Sequence, residues 1–203
     1  MFRKLIGMVL AALWLTGCGT LRLVDSDVRS FVAPPGVPVG ATYRFERLPS
    51  QQVDAAQQTR LEFMAQQALG KVGLRRDDVA ASYSVQVLAG LRVDPYSPWD
   101  RPRSGWGMGW GLGFGVRSGQ VMIGGGSPFM RGFGAGDMPY YWRQVSLTIR
   151  HLGSGQVVYE THAAHDGRWA DSDAILPAML EAALKDFPNP PPGPRRINLE
   201  IPR

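Results

Sequence analysis

Few residues in this chain are suited by type and spacing to chemistry. His162-Ala163-Ala164-His165-Asp166 places two imidazoles and a carboxylate within five positions, and His151 is the remaining histidine. Zinc takes three or four ligands at about 2.0–2.3 Å, and His-x-x-His supplies two, so Asp166 or His151 would have to complete a metal-dependent hydrolytic site. If the segment is a strand, His162 and His165 point to opposite faces, which works against a shared ion. The cluster therefore reads first as a solvated strand end, and no metal is assigned. Cys18 is the only cysteine, which excludes a disulfide within the chain and any CxxC metal pair. There is no GxxxxGK phosphate loop. Glycines at 105, 107 and 109 lack the strand–glycine–helix setting of a dinucleotide fingerprint. No catalytic residue and no cofactor follow, and the expectation is a non-enzyme. Tyr140-Tyr141-Trp142, Trp99 and Trp169 are of the type that stacks on sugar rings, so a glycan- or lipid-binding platform is the alternative to simple core filling.

The thiol has a clearer use. Arg3 and Lys4 precede an apolar run from Leu5 to Leu15, too short for a spanning helix, which needs roughly 20 apolar residues, but suited to a secretory leader. The run closes in Leu15-Thr16-Gly17-Cys18, which resembles the bacterial lipobox, where small residues let a peptidase cut in front of a cysteine whose sulfur carries diacylglycerol. The expected site is lipidation of Cys18. Gly19 follows it, and the lack of an aspartate there favours the outer membrane over retention in the inner one. Cleavage removes Arg3 and Lys4 and lowers the formal charge of +5 by two. That surplus is too small to point to nucleic acid.

The segment between Arg103 and Gly136 holds 13 of the chain's 25 glycines and no acidic residue. In Gly105–Val116 glycine alternates with Trp106, Met108, Trp110, Leu112, Phe114 and Val116. A helix is disfavoured, since each glycine costs about 0.8–1 kcal/mol against alanine. Extended, the run puts its large groups on one side and bare backbone on the other. It is expected to be a flexible low-complexity loop, a hairpin docking Trp106, Trp110 and Phe114 on a partner protein or the membrane interface, or an edge for self-association.

The elements that would position these residues follow from periodicity. Leu21 to Phe31 is extended, Val32 to Gly40 is a proline-rich loop, and "ATYRFERL" alternates as a strand. A helix is expected from about Gln52 to Val72, with Ser50 available as its cap and Leu61, Met64, Ala65, Ala68, Leu69 and Val72 on one stripe. Tyr83, Val85, Val87, Ala89, Leu91 and Val93 share one strand face. Val145, Leu147 and Ile149 share another, and Gly153-Ser154-Gly155 turns that strand into a hairpin with "QVVYETHAA". Asp171, Ser172 or Asp173 caps a second helix over roughly Ala174–Phe187, with Pro177 in its first turn. "INLEIPR" could add a short strand after a polyproline-like stretch. The expected fold is α+β: an antiparallel sheet of about five strands with two helices on one face, plus the glycine-rich insert.

The lipobox, the acidic stretch Val24-Asp25-Ser26-Asp27, an aromatic strand ending in Leu48-Pro49, the amphipathic helix, the glycine-aromatic insert, the Gly-Ser-Gly hairpin and a last helix closing on Phe187-Pro188 together resemble the DUF4136 family of bacterial lipoproteins. The proline-rich loop at Val32–Gly40 and the tail after Phe187 depart from that layout. The family is functionally uncharacterised, so the resemblance implies a fold and a compartment and no catalytic residue. The expected organisation is a leader over 1–17, an α+β domain over 18–188 with an insert at 103–136, and a proline-rich tail over 189–203. The expected function is an outer-membrane-anchored, periplasm-facing binding module. Its partners are the membrane through the N-terminal lipid and an envelope protein, with self-association as a further option.

Overall fold

Period-two alternation dictates where the sheet forms. The computed structural model describes residues 21–94 and 139–202. In chain order these are β1 (Leu21–Val32), β2 (Thr42–Phe45), a 3-10 turn (Pro49–Gln52), α1 (Ala55–Lys71), β3 (Arg75–Arg76), β4 (Tyr83–Asp94), β5 (Tyr140–His151), β6 (Val157–Gly167), α2 (Ser172–Ala183) and β7 (Arg195–Pro202). They build one seven-stranded sheet in the order β3-β2-β4-β5-β6-β1-β7, with both helices on one face.

The sheet is mixed, not antiparallel, and has seven strands where about five were expected. β2 runs parallel to both β3 and β4. The cause is α1: a helix between two strands returns the chain to the end where the first strand began, so the strands that flank it align in parallel. β4, β5, β6, β1 and β7 pair antiparallel, and the strand expected at "INLEIPR" is β7, lying along β1 from Leu21↔Pro202 to Val28↔Arg195.

The inner face carries the residues that the alternation assigns to it. Val85, Val87 and Ala89 of β4 pair with Ile149, Leu147 and Val145 of β5, and Val28 of β1 meets Ala163 of β6. All are buried against Leu61, Ala65, Leu69 and, from α2, Ile175, Met179 and Leu180. Leu147 stands on the central strand at 1 % exposure. Leu147→Ala is expected to cost about 2–5 kcal/mol by leaving a cavity, measurable as a lower denaturant midpoint with an unchanged slope.

Helix ends follow capping chemistry. Ser50 falls in the 3-10 turn, and Asp54 caps α1 by accepting from the Gln57 amide at 3.2 Å. At the other end Gly73 takes φ +87°, and a Cβ there would stand 2.9 Å from Val39, so glycine is required both by conformation and by space. Asp171 caps α2, accepting from the Ala174 amide. Because α2 starts at Ser172, Pro177 sits in its second turn and removes the amide that would meet the Asp173 carbonyl. Among the described residues no helix is long and apolar enough to cross a membrane.

Candidate functional site

β6 separates the histidine cluster. Tyr159, Thr161, Ala163 and His165 face the helices, whereas Glu160, His162 and Asp166 face outward. His162 Nε2 lies 2.7 Å from Glu160 Oε1. His165 Nδ1 lies 2.6 Å from the Asp25 carbonyl oxygen, and Asp166 accepts from the Tyr140 hydroxyl. His151 ends β5 and meets Ser154 in the hairpin turn. The described residues hold no group of three potential metal ligands.

The aromatic residues are split as well. Tyr140 and Trp142 lie on the outer face with ring centroids 5.4 Å apart, and the Arg92 guanidinium sits 5.6 Å over Trp142. Burial first, and then the bond to Asp166, raise the Tyr140 phenol above its ordinary value. Tyr141 faces the other way, under Arg143. Trp169 stands on the loop between β6 and α2 with Arg22 over its ring at 5.3 Å. These rings form no shared platform. Trp99, Trp106, Trp110 and Phe114 lie outside the described residues, as do Leu15, Thr16, Gly17 and Cys18.

A polar cluster lies instead beneath the start of α2, on the inner face. Arg143 of β5 is 2 % exposed; its Nε donates to Ser172 Oγ at 3.0 Å and its Nη2 to the Trp169 carbonyl at 2.6 Å. Both acceptors are neutral. Burial first, and the neighbouring Arg22 charge after it, pull this guanidinium down to about 10, so it remains charged at neutral pH. Arg22 of β1, also buried, reaches Asp171 Oδ2 at 3.4 Å. His165 pairs in register with Arg143, and Ser26 of β1 is fully buried. The signal for this cluster was present in the alternation: Arg143 shares the parity of Val145, Leu147 and Ile149, and Arg22 and Ser26 that of Val24 and Val28. An arginine at an inward position was the clue.

That same end of the sheet gathers most of what the sequence singled out. β5 and β1 start there, and β4, β6 and β7 end there, as the pairs Asp94↔Tyr140, Tyr141↔Gly167 and Leu21↔Pro202 require. Both stems of the 95–138 segment therefore leave the fold at the end where Leu21 opens β1, three positions after Cys18. Leu21 and Leu23 project there on the outer face, 60 % and 54 % exposed. At the opposite end, a shallow groove lined by Tyr43, Gln66, Gly70, Lys71 and Arg76 holds no buried acid or nucleophile.

A sequence profile described as "Domain of unknown function (DUF4136)" matches residues 37–189, three quarters of the chain. The chain belongs to the DUF4136 family. No curated protein matches this DUF4136 chain. Among solved structures, a PDZ domain protein from Parabacteroides distasonis is similar at TM-score 0.53 and 15% identity, covering 95% of this chain and 42% of that one. The chain thus spans about two fifths of that protein's length, and the similarity is one of fold. PelC dodecamer structures from Paraburkholderia phytofirmans give TM-scores of 0.41 and 0.42 at 14% and 13% identity, each covering 78% of this chain and 94% of that one. At those scores the resemblance carries no argument about this DUF4136 protein.

Proposed function

We propose that this DUF4136 protein is a lipid-anchored module of the bacterial outer membrane that faces the periplasm, performs no catalysis, and holds an envelope protein through its glycine- and aromatic-rich insert. One observation carries this reading: the stems of the insert, at Asp94 and Tyr140, leave the sheet at the end where β1 begins just after Cys18. A lipid on that cysteine places the insert beside the leaflet, where tryptophan is at home and where a membrane partner would present itself. The histidines, divided between two faces and already bonded, offer no reaction centre to compete with it.

The test is affinity capture from membranes of the native host. Wild-type protein and a chain lacking residues 103–136 are compared after matched expression, with circular dichroism to verify that the shortened chain folds. Loss of one or more partners in the shortened chain is the expected result. An identical partner set defeats the reading.

A further inference from the structure

The four polar residues under α2 leave one atom each without a partner: Arg22 Nε, Ser26 Oγ, Arg143 Nη1 and His165 Nε2. Their residues are 7, 0, 2 and 5 % exposed. Unpaired polar atoms away from water are unfavourable, and more so on charged groups, so four in one cluster call for a missing partner. The charge is unbalanced in the same sense. Two guanidinium groups face one carboxylate, Asp171, which is 56 % exposed, lies 3.4 Å from Arg22 and also caps α2. Asp25, the other acid nearby, is bound to Arg196 and has Oδ1 3.4 Å from His165 Nδ1, away from the two buried guanidinium groups.

The donor pattern specifies the partner more closely. The Asp25 carbonyl can only accept, so His165 Nδ1 carries a proton, and in the Nδ1–H tautomer Nε2 offers a lone pair. Arg22 Nε, Arg143 Nη1 and the Ser26 hydroxyl can donate. Three donors around an excess positive charge, with one acceptor beside them, complement an anion that has both bare oxygens and an O–H. We infer that this cluster binds inorganic hydrogen phosphate, whose oxygens accept from Arg22, Arg143 and Ser26 and whose P–OH donates to His165 Nε2. Sulfate, phosphodiesters and, above pH about 7, phosphate monoesters lack that O–H and would leave the histidine unpaired. The exposed Trp169 and Asp171 border the cluster on the solvent side, and an entering phosphate replaces the long Arg22–Asp171 contact. The α2 N-terminus adds a favourable dipole. This inference rests on described side chains and is independent of the lipid anchor.

Calorimetric titration of the full chain in non-ionic detergent, at pH about 8 where an ordinary histidine is neutral, tests it. Inorganic phosphate is expected to bind, and sulfate at equal ionic strength at least about tenfold more weakly, the value of one hydrogen bond. Ser26→Ala, which removes one hydroxyl with little change of volume, is expected to lower phosphate affinity about tenfold while the melting temperature without phosphate holds. Short-chain phosphatidic acid and short-chain phosphatidylglycerol form the other arms. Neither lipid carries a P–OH at this pH, so Ser26-dependent binding of free phosphate with both lipids weaker assigns a soluble ligand, and lipid binding as tight as that of phosphate counts against the inference. No Ser26-dependent binding in any arm, or equal affinity for phosphate and sulfate, overturns the inference.

Discussion

Cys18→Ser is expected to abolish acylation completely. In the native host, incorporation of labelled palmitate into the protein should fall to background, and the acylated peptide that begins at residue 18 in the wild type should vanish from the mass spectrum. The physical stake is large. Each buried methylene contributes about 0.8 kcal/mol, a single chain holds a protein only marginally, and two or three chains make attachment effectively permanent. Because the leader of the serine variant is also expected to stay uncut, the modification itself is the readout, with fractionation of the wild type as its companion. A wild-type protein with an unmodified thiol, or label that persists in the variant, ends the envelope reading.

The second large effect is expected from ending the chain after Gly193. Eight residues of β7 lie along β1, and Ile197, Leu199 and Ile201 pack partly buried against the core. Arg195 Nη2 also donates to the Lys185 carbonyl at 2.9 Å, tying the strand to the end of α2. Full burial of such an apolar side chain is worth about 1.5–3 kcal/mol, so three at half that value give a loss of about 3 kcal/mol. That is a sizeable share of the 5–15 kcal/mol typical of a domain. Removing β7 also bares the β1 edge, an open template for another chain. Thermal unfolding should move to lower temperature, and size-exclusion chromatography should show association. Arg196→Ala is the control: its pairs with Asp25 and Asp27 are exposed and worth at most about 1 kcal/mol. A shortened chain that melts unchanged and stays monomeric removes β7 from the stability of the fold.

What the sequence made legible was local. Strands with one buried side announced themselves through alternation, as Val85-x-Val87-x-Ala89 and Val145-x-Leu147-x-Ile149 do, and they pair face to face as that pattern implies. The α1 stripe and the Asp171 cap were equally readable. Pairing direction was not, because nothing within Thr42–Phe45 states which strand lies beside it; only the crossover through α1 decides it. The two residues of β3 are too few to show any period. The buried cluster is the extreme case. Arg22, Ser26, Arg143, His165 and Ser172 come from four separate elements, so no spacing along the chain connects them, and an arginine by itself reads as surface. What betrayed it was parity, a charged residue in step with valines.

The gathering of the first strand's start, the insert's two stems and the last strand's finish at one end gives the molecule a direction. A twelve-residue strand rises about 3.3 Å per residue, so the long strands measure about 40 Å. Held by the proposed lipid on Cys18, the domain would lift the Gly153–Gly155 hairpin and the Tyr43 groove by that distance into the aqueous compartment. Under that proposal, whatever meets the distal tip is kept at a fixed height above the leaflet.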